Sequence, residues 1–127
     1  MMKTLSVIGS TGSIGVQTLQ VAEERGYRVG GLAAGKNGRA LEEQILRFRP
    51  RIAQNLRLDG VCDTGILWGR EGVCRVAAMQ EADMTLNAAV GIAGLAPTVA
   101  ALTAGKPLAL ANKESLVCAG ALVCRLA

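Results

Sequence analysis

Leu5-Ser6-Val7-Ile8-Gly9-Ser10-Thr11-Gly12-Ser13-Ile14-Gly15 decides the fold. A short apolar run passes directly into three glycines spaced by threes, and a helical pattern follows over 13–25 with Ile14, Leu19 and Ala22 toward one side. A strand that meets close-set glycines and turns at once into a helix is the opening of a βαβ unit. Gly9 can turn the chain sharply, Gly12 leaves no Cβ where an anion would approach, and Gly15 lets the helix press on the strand. The free amides and dipole of that helix N-terminus favour a bound anion, and Thr11 and Ser13 add hydroxyl donors. Ser13 is the expected N-cap and Gly26 the expected stop. The G-x-x-G-x-x-G spacing departs from the commonest G-x-G-x-x-G. Taken alone, the loop therefore leaves open a tight turn without a ligand. No Gly-Lys-Ser/Thr follows, which excludes a P-loop.

Downstream, strand and helix signals alternate. Residues 27–34 return to strand, 35–38 form a turn, and 39–49 form an amphipathic helix. In that helix Leu41, Ile45 and Phe48 share a face, Glu43 and Arg47 are spaced to pair, and Pro50 follows its end. Short strands are expected at Ile52-Ala53 and Ile66-Leu67-Trp68, a helix over 73–79 and a strand over 84–90. A helix over 94–104 accepts Pro97 in its first turn, 108–111 is a strand, and a helix carrying Leu116, Leu122, Val123 and Leu126 closes the chain. Strands alternating with helices of this length predict an α/β fold, doubly wound and Rossmann-like, with a mostly parallel sheet and helices on both faces. The 127 residues suffice for one domain, read here as 1–127. The apolar final helix, with no stop signal, suggests the first part of a larger protein and a homo-oligomer.

Composition narrows the function. Half the residues are apolar, and Tyr27, Phe48 and Trp68 are the only aromatics, which argues against a base-stacking nucleic-acid platform. A formal charge of +4 without a polybasic run suits a small anionic ligand or an ordinary surface, and gives no reason to expect nucleic acid or a membrane as partner. Cys62, Cys74, Cys118 and Cys124 show no C-x-x-C spacing and histidine is absent, so a His/Cys zinc site is not expected. The four cysteines read as small apolar residues of a reducing, cytoplasmic compartment, and no charged-then-apolar leader is visible.

The turn after the second strand is informative through what it lacks. An NAD site places Asp or Glu there for the ribose hydroxyl. Here Gly35-Lys36-Asn37 carries an ammonium and no acid, which favours NADP over NAD. Asn112-Lys113-Glu114 follows the strand at 108–111, on the ligand side of a doubly wound sheet. Asn112 can cap the next helix and Glu114 suits its dipole, but Lys113 opposes that dipole and is better explained by an anionic or carbonyl ligand.

Several motifs occur in order. They are Gly9 to Gly15 reading GSTGSIG, Ala34-Gly35-Lys36-Asn37, the stretch from Val90 to Thr98 reading VGIAGLAPT, Ala104-Gly105-Lys106, and Ala109 to Val117 reading ALANKESLV. This succession resembles the N-terminal NADPH-binding domain of the 1-deoxy-D-xylulose-5-phosphate reductoisomerases, oxidoreductases of non-mevalonate isoprenoid biosynthesis. The resemblance implies that Thr11, Gly12, Ser13 and Ile14 hold the cofactor phosphates and that Gly35, Lys36 and Asn37 hold its adenosine 2′-phosphate end. It further implies that Asn112 and Glu114 lie near the nicotinamide and that Lys113 contacts 1-deoxy-D-xylulose 5-phosphate. Such enzymes use a divalent metal (Mg or Mn) to rearrange the substrate skeleton, then NADPH to reduce it to 2-C-methyl-D-erythritol 4-phosphate. Two departures stand out: residues 51–72 are shorter than the family's usual segment, and the family's acidic metal ligands, lid and C-terminal domain lie beyond the corresponding end point. No catalytic set is complete in this chain and no metal ligands are expected from it. The other readings are a different NADP-dependent dehydrogenase domain and a non-catalytic nucleotide-binding module.

The basic turn generates a test. The chain is expected to bind NADPH more tightly than NADH, and Lys36→Glu to narrow or reverse that preference, because a carboxylate repels the 2′-phosphate that an ammonium attracts. Titrating both cofactors against both proteins checks it; equal affinities in the unmodified chain would count against this reading of the turn.

Overall fold

The structure, a computed structural model, describes residues 3–34, 38–54, 65–67, 69–89 and 95–110. The elements alternate as β1 (Thr4–Ile8), α1 (Ser13–Arg25), β2 (Arg28–Ala33), α2 (Gly38–Phe48), β3 (Ile52–Gln54), β4 (Gly65–Leu67), α3 (Gly69–Ala77), β5 (Met84–Asn87), α4 (Leu95–Thr103) and β6 (Leu108–Leu110). The strands form one sheet in the order β4-β3-β2-β1-β5-β6, and every pairing is parallel. The chain thus winds outward from β1 through β2, β3 and β4, then returns to β5 on the other side of β1. Between β1 and β5 the strand order reverses, and there a doubly wound sheet opens a crevice at the carboxyl ends of its strands. The doubly wound fold read from the sequence is the fold observed. The segment 51–72 carries two strands, and β4 pairs in register with β3.

Alternation along β1 divides the core. Leu5 and Val7 join Leu19 and Ala22 of α1, Val29 and Leu32 of β2, and Leu41 and Ile45 of α2 in one cluster. Ile8 joins Ala33, Val76 and Ala77 of α3 and Ala101 of α4 in the other. Successive side chains of a strand point to opposite faces, so one short sequence serves both layers. Leu41 and Ile45 are fully buried and Phe48 packs beside them, as the amphipathic pattern predicts.

Other details correct the sequence reading. Gly12, not Ser13, is the N-cap of α1, with extended backbone and no side-chain cap, and Ser13 is the first helical residue. Ile14 is 46% exposed; Gly15, Leu19 and Ala22 form the buried side. Helix α3 starts at Gly69, ahead of the expected position, with Glu71 favourably placed in its first turn. Arg47 does not pair along its own helix. It reaches across to Glu23 of α1 at 2.8 Å, and that carboxylate, by hydrogen bond and then by charge, holds the guanidinium above its ordinary range. Both side chains are largely exposed, so this link adds little to stability.

Gly26 ends α1 in the left-handed conformation at φ 73°, with Tyr27 N–H on the Ala22 carbonyl at 2.8 Å, the paired closure that glycine favours. The expected final helix, Trp68, and the turn residues Gly35, Lys36 and Asn37 lie outside the described residues.

Gly15 is where the fold is least forgiving. A Cβ there would strike the Gly9 carbonyl oxygen and come within 2.7 Å of Ser10 Cα, whereas a Cβ on Gly12 would meet only the Gly9 oxygen at 3.5 Å. The close approach is to the turn that follows β1, rather than to the strand itself. Gly15→Ala is therefore expected to destabilise the fold by about 1–3 kcal/mol despite the better helix propensity of alanine. Gly12→Ala is expected to leave the thermal midpoint within about 2 °C of the parent. Thermal denaturation followed by circular dichroism compares the two.

Candidate functional site

The turn after β1 is held from three sides. Gly9 and Ser10 both donate their N–H to the carbonyl of Ala33, the last residue of β2, at 2.7 and 3.0 Å. Gly9 adopts φ 78°, and a Cβ on it would lie 2.7 Å from the backbone of Ala88, just past β5. The turns after β1 and β5 are therefore in backbone contact at the switch point, and Ala88 N–H closes the seam by donating to the Ile8 carbonyl at 2.8 Å. On the third side, Gln44 of α2 donates its side-chain Nε2 to the Ser10 carbonyl at 2.8 Å.

What this fixed frame presents is a set of unspent donors. α1 carries no side-chain cap, so the amides of its first turn keep their hydrogen-bonding capacity. Val16 N–H takes the Gly12 carbonyl at 2.9 Å, and the amides of Ser13, Ile14 and Gly15 are those a helix leaves without intrahelical partners, while Gly12 N–H turns back to the Gly9 carbonyl at 3.2 Å. Neither α1 nor α2 has an acidic residue in its first turn, so no carboxylate of theirs competes for the positive ends of these helices. Gly12 and Ser13 are exposed and Thr11 is half-buried. This is the geometry of an anion seat at a helix N-terminus.

The β5 side is shaped by Asn87, fully buried at the end of its strand. Its Nδ2 donates to Thr98 Oγ1 of α4 at 2.6 Å, and its Oδ1 accepts the Ala89 N–H at 3.2 Å. One amide thus ties the turn after β5 both to itself and to α4. Lys106, within one of the sequence motifs, has a structural task away from the crevice: its ammonium donates to the Gln80 and Ala82 carbonyls at 2.9 and 2.6 Å, holding the turn that leads into β5.

Of the sequence-predicted residues, Thr11, Gly12, Ser13 and Ile14 come together at this seat. Ile14 offers its backbone there, since its side chain faces solvent. Gly35, Lys36, Asn37, Asn112, Lys113 and Glu114 lie outside the described residues, although β2 and β6, which lead to them, both end at the crevice edge of the sheet. Gln44 and Asn87 were not singled out from the sequence. The signal was a polar residue inside an apolar pattern: Gln44 interrupts the stripe of Leu41, Ile45 and Phe48, and Asn87 closes an otherwise apolar strand end. Among the described residues no group of His, Cys, Asp or Glu could hold a metal ion, so the divalent metal implied by the resemblance has no fitting donors there.

The fold is that of a dinucleotide-type α/β domain, with the uncapped start of α1 at the switch point. The sequence pattern of the family described as 1-deoxy-D-xylulose 5-phosphate reductoisomerase matches residues 5–120, and the chain belongs to that family. The reductoisomerase of Pelotomaculum thermopropionicum is 48% identical over 139 aligned positions, covering 99% of this chain and 36% of the relative. That alignment is longer than the 127 residues of this chain, so the relative carries insertions with respect to it. A crystal structure of DOX-P reductoisomerase in complex with NADPH, fosmidomycin and magnesium superposes with a TM-score of 0.90 at 36% identity, over 98% of this chain and 34% of that one. The Zymomonas mobilis enzyme in complex with NADPH matches with a TM-score of 0.90 at 34% identity, over 99% and 36% of the two chains. The chain spans about a third of the length of these relatives.

Proposed function

We propose that this chain is the NADPH-holding part of a 1-deoxy-D-xylulose-5-phosphate reductoisomerase. The observation that carries the proposal is the contrast among the three glycines. Gly9 is required by its positive φ and by Ala88, and Gly15 by the backbone of Gly9 and Ser10. Gly12 has an ordinary extended backbone and ample room for a Cβ. Neither its conformation nor its packing demands glycine. A ligand approaching the uncapped amides beside it supplies that demand, and a diphosphate fits the chemistry of the donors.

In this reading Thr11, Gly12, Ser13 and Ile14 hold the cofactor diphosphate, with the Thr11 and Ser13 hydroxyls as additional donors. Gly35, Lys36 and Asn37, which follow β2 in the sequence, hold the 2′-phosphate. Asn112 and Glu114 orient the nicotinamide end, and Lys113 holds 1-deoxy-D-xylulose 5-phosphate by charge. NADPH, when bound, supplies the hydride that reduces the rearranged sugar phosphate. The metal step is not assigned to this chain, whose described residues bring no cluster of oxygen ligands together. Residues 1–127 are then the cofactor domain, with the catalytic and C-terminal domains of the family supplied by sequence this chain does not include. A cytoplasmic location and a homo-oligomer complete the proposal.

Two outcomes test it. Gly12→Val is expected to abolish NADPH binding while far-ultraviolet circular dichroism stays that of the parent, because the added side chain fills the ligand's space rather than the protein's. Normal binding by that variant would move the phosphates elsewhere. The purified chain is also expected to bind NADPH without converting 1-deoxy-D-xylulose 5-phosphate, with Mg²⁺ or Mn²⁺ present, since a hard cation needs grouped oxygen ligands. Substrate loss in step with NADPH oxidation, slowed by Lys113→Ala, would overturn the assignment of the metal step.

A further inference from the structure

We propose that Gln44 is a positioning residue: it sets the direction of the Ser10–Thr11 peptide and thereby presents the Thr11 N–H to the cofactor's phosphates. The inference rests on the glycine turn being the seat of those phosphates.

Gln44 stands on the core-facing side of α2, between the buried Leu41 and Ile45 and the half-buried Phe48. A polar group in that position is costly unless it is bonded. Its Nε2 is bonded, at 2.8 Å, to the carbonyl of Ser10 on a distant part of the chain. The contact does not satisfy the pair as a whole. Gln44 Oε1 and Ser10 Oγ are both buried with no partner among the described residues. If packing α2 against the turn were the sole requirement, apolar side chains of similar size would serve without leaving these two oxygens unpaired. What the amide adds is direction.

The direction matters through peptide geometry. In a trans peptide the C=O and the following N–H point opposite ways, and no cis bond occurs among the described residues. Drawing the Ser10 carbonyl to α2 therefore turns the Thr11 N–H away from α2. The preceding N–H groups, of Gly9 and Ser10, are already committed to Ala33. Thr11 N–H has no partner among the described residues. Among the described residues it is thus the first uncommitted donor of the turn; Gly12 N–H folds back onto the Gly9 carbonyl at 3.2 Å, and the uncapped amides of α1 follow. Backbone amides aimed one way form an anion-binding concavity, here Thr11 together with the first turn of α1, and a peptide that rotated freely would lose its first member.

The test is NADPH titration of the 127-residue chain and of Gln44→Met, which keeps the side-chain length and removes the donor. Gln44→Met is expected to raise the NADPH dissociation constant about five- to tenfold, the scale of one hydrogen bond, with its thermal midpoint close to that of the parent. Gln44→Glu, which places an acceptor against the Ser10 carbonyl, is expected to lose more. Parent-like affinity in Gln44→Met overturns the proposal. So does a loss of affinity that only follows a fall in thermal midpoint, since that is the mark of a packing role. A second measurement holds even where the variants fold poorly: in the parent, the Thr11 amide proton should shift and gain protection from exchange on saturation with NADPH. An unaffected Thr11 amide overturns the proposal. A parent chain that binds no NADPH at all refutes the cofactor reading instead, so the two failures are distinguishable.

Discussion

The contact on which the remaining structure depends is the seating of α1 on the turn after β1, with Gly15 against the backbone of Gly9 and Ser10. At that distance no side chain can intervene, so the start of the helix and the end of the strand behave as one rigid corner. The corner determines where the amides of α1 point, how Leu19 and Ala22 reach the sheet, and how closely β5 can approach beside β1. The pairing of β1 with β5, the touching turns at Gly9 and Ala88, and the crevice at the switch point all follow from it.

Around that corner the apolar core gives way to a small set of committed polar groups. Asn87 and Thr98 are buried and bonded to one another, and Gln44 is bonded to the turn. Each lies where helix, strand and loop meet, and where Leu or Val would fill space without fixing a backbone direction. Buried amides are expensive to orient and costly to leave unpaired, and both of these stand at the crevice end of the sheet. The opposite end is secured differently: Lys106 reaches backbone carbonyls there, and Asp83 accepts the Thr4 N–H at 2.8 Å.

Much of this was legible in the sequence because it is local. Period-2 and helical patterns place the strands and helices, and the three glycines between Ile8 and Val16 announce the turn before any tertiary contact is known. Gly26 and Pro50 mark helix ends by their own backbone chemistry. The misreadings share a cause. Helical spacing pairs Arg47 with Glu43, whereas tertiary packing brings Glu23 nearer. Ile14 looked like core but sits at the open end of α1, where no layer covers it. The start of α3 was hidden by Gly69 and Gly72, which depress helix propensity without preventing a helix that packing stabilises. Gln44 and Asn87 escape the sequence reading because Ser10 and Thr98, which they bond, lie on other elements, and periodicity shows only that a polar residue is out of place.

The carbonyl of Ala33 receives two amides, from Gly9 and from Ser10, and the chain leaves that same residue toward residues 35–37. The diphosphate end and the adenosine end of the proposed site thus share one hinge pin. For anyone exchanging cofactor preference by loop grafting, the splice point follows: a transplanted turn can begin after Ala34 without touching the anchor. A graft that reaches back to Ala33 disturbs the strand end whose backbone carbonyl is the anchor, and would alter phosphate grip and cofactor choice together.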